Sequence, residues 1–349
     1  MLTTVIGAYP KPSFLQLPDW FNAEGGTDTL KPTVNYDDAI KKMGQEAESI
    51  FLKAAKEVID DQIECGIDII TDGEVRRENY IHYHCRHLKG IDFNQLTKKV
   101  ARTGNYECLL PTIVNTIEAQ DSFLVHDWSL AQNISSQPVK ITIPGPMTIT
   151  DTIANEYYTS NNQLGKDLAK AINVEIKRLV AAGCKYIQVD EPLFARKPQE
   201  ANDYGIENLA KCFDGIENSG VEKITHICCG YPDKLDAVNY PKAPLNSYHK
   251  IAKQLDGSII DTVSIEDAHR YNDLSLLESF KKTKIILGLI KIASSAEETI
   301  DEIQIRIEKA LNHFDVNRLV AAPDCGLGHL PRNLAKKKLK TMVEAVNKY

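Results

Sequence analysis

Short runs rich in β-branched residues recur along the chain, separated by longer stretches whose apolar positions repeat with a helical period. The runs fall at 4–9 (TVIGAY), 67–71 (IDIIT), 140–144 (KITIP), 186–190 (YIQVD), 223–228 (KITHIC), 262–266 (TVSIE), 285–290 (IILGLI) and 318–322 (RLVAA). Helical periodicity covers 37–64, 163–182, 206–218, 246–255, 274–282 and roughly 331–347. Gly66 closes the first of these, and Gly183 ends the second at a left-handed cap position. Ser295 and Glu298 have capping-box spacing and predict a helix running to about Phe314. Eight strands, nearly all followed by helices, imply right-handed crossovers and a parallel sheet. Eight such units close most naturally as an α/β (β/α)8 TIM barrel. The alternation breaks at about 90–137, where runs at 108–114 and 122–126 predict a hairpin-like insertion between strands two and three. No repeat or linker interrupts the pattern, so residues 1–349 read as one domain.

Composition narrows the class of function. Hydrophobic residues are 43% and charged residues 26%, the balance of a soluble globular protein. The net charge of −7 is dispersed, which argues against a nucleic-acid partner. No apolar run has membrane-spanning length, and the N-terminus lacks a signal-like core, which predicts a cytoplasmic protein without a membrane partner. Thiols stay reduced there, so the eight cysteines read as small buried residues or metal ligands.

In such a barrel the site lies at the carboxyl ends of the strands. Strand five ends in His226 and Cys228, strand six in Glu266, and strand eight runs into Cys325. Residues two apart on a strand share a face, so His226 and Cys228 can converge, whereas Cys229 points away. Imidazole, two thiolates and a carboxylate form a four-ligand set for Zn2+. Three negative charges make the dication a poor source of hydroxide, yet it can still hold a substrate thiol as thiolate. Glu266, the hardest ligand, is the one expected to yield when a sulfur substrate arrives, a displaceable catalytic ligand. A metal-dependent hydrolase of this architecture wants histidines at the end of strand one, and residues 7–10 (GAYP) have none.

Two further strand ends carry acids. Glu74 and Asp190 can pair with a substrate ammonium, or they can cap helices and pair with Arg76 or Arg77. A cluster of His82, His84, Cys85 and His87 follows strand two. It reads as second metal site, donor-recognition surface or core.

The motifs IGAYP (6–10), TDGE (71–74), PGPMTI (144–149), VDEP (189–192), HIC (226–228), SIE (264–266) and PDCG (323–326) occur in this order. Together they resemble the catalytic barrel of the cobalamin-independent methionine synthase family, over about residues 3–345. The resemblance implies zinc on His226, Cys228, Glu266 and Cys325, and homocysteine S-methyltransferase activity forming methionine. It implies that Glu74 and Asp190 meet the homocysteine amino group, and that backbone from Ile6 to Ala8 meets its carboxylate. The resemblance implies a short, single-barrel form without the N-terminal barrel of full-length members. Thr152 stands where full-length members carry a folate-stacking tryptophan, and Ala293 where they carry a histidine serving the proton chemistry of methyl transfer. The implied methyl donor is methyl-folate, or a methylcorrinoid or other donor delivered by a partner protein. Two alternatives differ in class: an alkyltransferase of the same fold acting on another thiol, and a non-catalytic zinc-stabilised binding module.

Overall fold

The computed structural model describes residues 1–23, 30–101, 106–237 and 240–349. β1 (Leu2–Thr3) and β2 (Ile70–Thr71) precede a long pair, β3 (Leu88–Ala101) and β4 (Tyr106–Ala119). Then come β5 (Val139–Pro144), a short β6 (Ala154–Asn155), β7 (Tyr186–Asp190) and β8 (Glu222–Ile227). β9 (Thr262–Ile265), β10 (Lys284–Ile290) and β11 (Leu319–Pro323) complete the series. Eight of these form one parallel sheet in the order β1-β11-β10-β9-β8-β7-β5-β2. A parallel bridge between Thr4 and Ile69 joins β1 to β2, with Ile69 N–H donating to Thr3 O at 3.1 Å, and so closes the barrel. The TIM-barrel expectation therefore holds, with the eight β-branched runs of the barrel on or directly beside its wall strands.

Inside the barrel, Ile6, Ile224, Ile286, Val320 and Ala322 pack together. They fill the interior as side-chain layers do in such barrels. The Asn161–Ala182 helix shows how the outer ring is built: Ser160 accepts from Gln163 N–H at its start, and Gly183 ends it at φ 102. Only glycine takes that left-handed angle without strain.

The insertion consists of the antiparallel pair β3/β4, extended by the parallel pairing of β4 with β6. The run at 122–126 is not a strand. Leu124, Trp128 and Ala131 are buried on one face of the Leu124–Asn133 helix, and Trp128 Nε1–H donates to Val139 O at 3.0 Å. A spacing of three to four wins over the local alternation. Lys99 ties the hairpin to the barrel mouth, donating to Thr150 O at 3.1 Å and Ile153 O at 3.0 Å.

Other helix bounds also differ. The first helical stretch starts at Lys31 and is interrupted by a 3-10 turn at Gly44–Glu46, while the stretch expected at 274–282 is a 3-10 turn, Leu274–Ser279. The stretch expected at 206–218 ends at Lys211. The capping box is Thr299 with Glu302, opening Ile300–Leu311. Ser295 N–H instead donates to Asp236, and Glu298 accepts from Lys291 N–H and the buried Lys338. A charged side chain with a buried partner satisfies that partner before it caps a helix. Among the described residues, no helix is long and apolar enough to cross a membrane.

Candidate metal and substrate site

β8 and β9 run side by side with His226 opposite Ser264. His226 Nδ1 lies 2.9 Å from Ser264 Oγ, and its Nε2 lies 3.3 Å from Cys325 Sγ. The ligand atoms of His226, Cys228 and Cys325 all lie within 4.8 Å of one another, the one such group among the described residues. Glu266 joins through Cys228, whose Sγ–H donates to Glu266 Oε1 at 2.8 Å. Its other oxygen accepts from Lys242 Nζ at 3.2 Å. Tyr248 braces both strand ends, donating to Ile227 O at 2.7 Å and accepting from Glu266 N–H at 3.0 Å. Cys229 faces the other way, where Arg270 donates to its sulfur at 3.3 Å.

The electrostatics of this group favour a cation. The hydrogen bond with Cys325, burial and the Glu266 carboxylate all push the Cys228 thiol well above its usual range. At Cys325 the bond from Cys228 acts downward, but burial and Glu266 outweigh it. Two buried thiols beside a carboxylate cannot all ionise without added positive charge. Burial, helped by Lys140, lowers His226 to about 3, so its ring is neutral and free to ligate. The donor set therefore fits zinc.

Asp324, immediately before Cys325, fastens the neighbouring loop. Its carboxylate accepts from the backbone N–H of Asp267 (2.7 Å), Ala268 (2.8 Å) and His269 (2.6 Å). The segments carrying Glu266 and Cys325 are thereby held in one arrangement.

Glu74 and Asp190 stand on the same barrel mouth. Gly73 (φ 68) and Glu74 (φ 56) take left-handed backbone, and Glu74 N–H donates to Asp72 at 3.0 Å. Glu74 Oε1 accepts from Thr142 Oγ1 at 2.7 Å and Arg77 Nη1 at 3.2 Å. A side chain at Gly7 would meet this oxygen at 2.6 Å, so a glycine there leaves room for the Glu74 carboxyl against the backbone that follows β1. Gln188 Nε2 donates both to Asp190 Oδ1 (2.8 Å) and to Ile6 O (2.9 Å). Burial raises both carboxyls, and each is further opposed by a neighbouring acid, Asp72 at Glu74 and Glu74 at Asp190. The arrangement suits an incoming ammonium.

A cavity of about 240 Å³ joins the two groups. Ile6, Ala8, Glu74 and Asp190 line one part of it, and His226, Cys228 and Cys325 its floor; Glu266 does not reach it. Part of the remaining wall is aromatic, formed by Trp20, Phe21, Tyr80 and Tyr231, the first two from a segment that no sequence motif marks. Ring centroids follow one another from Tyr80 to Trp20 (5.5 Å), Trp20 to Phe21 (5.1 Å) and Phe21 to Tyr231 (5.8 Å). Tyr231 donates to Gly326 O at 2.7 Å, and Trp20 N–H donates to Glu78 O at 3.1 Å, which straps the segment over the mouth. The adjacent Trp20 and Phe21, in a chain with two tryptophans, were the available signal. Thr152 also lines the cavity, its hydroxyl donating to Thr148 O at 2.7 Å.

The histidine cluster is packed against its neighbours, and His82 also lines the cavity. His82 Nδ1 meets Thr33 Oγ1 at 2.7 Å, His84 Nδ1 meets Tyr80 O at 2.6 Å, and His87 stacks on Phe123 at 4.0 Å. Cys85 is fully buried, and burial lowers the basicity of all three rings.

Known proteins agree with this picture. The profile of the cobalamin-independent synthase catalytic domain matches residues 1–348. A methionine synthase of Saccharolobus solfataricus is 31% identical over 345 residues, 98% of this chain and 92% of that protein. A solved B12-independent methionine synthase from Shewanella sp. W3-18-1, in complex with selenomethionine, superposes with a TM-score of 0.85 at 29% identity. The match covers 99% of this chain and 96% of that one. A structure from Listeria monocytogenes, at 19% identity and TM-score 0.73 over 100% of this chain and 98% of its own, shares the fold.

Proposed function

We propose that this chain, which belongs to the cobalamin-independent methionine synthase family, forms methionine by moving a methyl group to the sulfur of homocysteine. The family makes it a methyltransferase; the thiol, the metal and the donor are the substance of the proposal. One observation carries it: an imidazole and two thiols converge on the floor of a cavity whose wall presents two buried carboxylates. That pairing fits a molecule with a thiol at one end and an ammonium at the other. The related Shewanella protein binds selenomethionine, the selenium analogue of the product.

Zinc held by His226, Cys228, Glu266 and Cys325 would supply one thing, a thiol kept as thiolate at neutral pH. The chain's residues do the rest. Glu74 and Asp190 pair with the ammonium, backbone from Ile6 to Ala8 meets the carboxylate, and Glu266 would be the metal ligand that yields to an incoming sulfur. Ser264 keeps His226 turned toward the ligand cluster. The reaction belongs in the cytoplasm, where the thiols stay reduced.

The donor is read from two positions at which the chain departs from full-length members, Thr152 in the cavity wall and Ala293 just after β10. A methyl on folate nitrogen leaves only when that nitrogen is protonated, which requires a stacking surface and an acid. Thr152 and Ala293 lack the indole and the imidazole that full-length members carry at these two positions. A methyl-cobalt donor needs no proton, so the favoured donor is a methylcorrinoid, or another methyl carrier, delivered by a partner protein. The identity of the thiol is tested by methylation of homocysteine against cysteine and mercaptoethanol. Preference for homocysteine supports the reading; equal use of a thiol without an ammonium favours a general thiol alkyltransferase, and no methylation of any thiol favours a binding module.

A further inference from the structure

The outer oxygen of Glu266 leads away from the cavity to a cation that no sequence motif marks. Lys242 Nζ lies 3.2 Å from Glu266 Oε2, while Oε1 faces Cys228. The two side chains are 16% and 5% exposed, so the pair is shielded from water. His226, Cys228 and Cys325 line the cavity, and neither Glu266 nor Lys242 does. The carboxylate therefore stands behind the thiols, and the lysine behind the carboxylate. Lys242 is itself held in place. Its ammonium sits 4.9 Å from the centre of the Tyr240 ring. The next residue, Ala243, is pinned at both backbone groups, donating N–H to Cys229 O at 2.8 Å and accepting from Arg270.

We propose that Lys242 is a positioning residue for ligand exchange at this site: it keeps hold of the Glu266 carboxylate when that carboxylate gives way to the homocysteine sulfur. The inference rests on the zinc reading above. A carboxylate that leaves a dication inside a protein needs another cation at once, because an unpaired buried charge is costly. Lys242 is already bonded to the oxygen that points away from the thiols, so it meets that need without moving. The same contact draws charge from the carboxylate and makes Glu266 a weaker ligand than the two thiolates. That ordering decides which ligand is exchanged.

A purely structural salt bridge would make the same contact, so the test reads the atoms around the metal. Zinc-loaded parent, Lys242→Met and Lys242→Arg are compared by zinc-edge X-ray absorption with and without saturating homocysteine. Calorimetry of homocysteine binding runs alongside. The parent exchanges one oxygen neighbour for sulfur. Lys242→Met keeps its zinc, retains the oxygen neighbour and binds homocysteine at least about tenfold more weakly. Lys242→Arg restores both properties. A Lys242→Met protein that exchanges oxygen for sulfur with parental affinity overturns the inference, and so does one that loses its zinc. A parent that shows no exchange overturns the displaceable role of Glu266, and the role of Lys242 with it, whereas a parent that holds no zinc overturns the zinc reading itself.

Discussion

His226 Nδ1 lies 2.9 Å from Ser264 Oγ, across the paired strands β8 and β9. A ring held at one nitrogen presents the other in a fixed direction, here toward Cys325 Sγ at 3.3 Å. Removing that anchor should loosen the metal without disturbing the barrel. Ser264→Ala is expected to weaken zinc binding about 10–100-fold, read by competition with a chromophoric chelator. Parental affinity would show that packing alone orients the ring.

Glu74 and Asp190 are both raised by burial and by nearby acids, so each is stabilised by an added cation. Glu74→Gln and Asp190→Asn should each bind homocysteine at least about tenfold more weakly, because a charge-assisted bond to the ammonium is lost. Zinc content should stay at the parental level. Calorimetry with metal-loaded protein makes the measurement, and undiminished binding in both variants would remove the ammonium from the account.

Glu191 closes the start of the Pro146–Thr152 helix, accepting from Met147 N–H (2.9 Å), Thr148 N–H (2.9 Å) and Thr148 Oγ1 (2.8 Å). Burial outweighs those donors and raises its carboxyl from 4.5 to about 7. The folded chain therefore keeps this proton to higher pH than the unfolded chain does. The contribution to stability is flat below about 4.5, falls as pH rises to about 7, and is flat again above. The loss is on the order of a few kcal/mol. The stability advantage of the parent over Glu191→Gln should shrink across that window, as measured by denaturation at a series of pH values. A constant difference would mean that Glu191 is already ionised at the lower end.

The donor prediction follows from Thr152 and Ala293. A threonine cannot stack on a pterin, and an alanine cannot pass a proton. Turnover with methyl-tetrahydrofolate alone should fall far below about 1 s⁻¹, the lower range of ordinary enzyme rates. A methylated corrinoid protein, or another carrier, should do better. A rate at or above that mark with methyl-folate alone would contradict the donor assignment.

The barrel was legible because most wall strands are short β-branched runs followed by a helical period, a signal carried by neighbouring residues. His226 and Cys228 were legible for the same reason, since alternation on one strand places both on one face. Local pattern failed where a tertiary partner decided. Glu298 has the spacing of a capping residue, but the buried Lys338 claims it. The run at 122–126 alternates like a strand, but Trp128 and Ala131 extend its apolar face into a helix. Trp20, Phe21 and Lys242 act from loops without period, and their roles come from what they touch across the barrel mouth.

The central claim is that His226, Cys228, Glu266 and Cys325 hold one metal ion that the chemistry needs. Its most direct test is the zinc content of purified, zinc-reconstituted protein, measured by elemental mass spectrometry on the parent, His226→Ala and Cys325→Ser. The account predicts about one zinc per chain in the parent and loss of most of it in each variant, because a site short of one ligand no longer closes around the ion. Full retention of zinc in both variants, or its absence from the reconstituted parent, would contradict it.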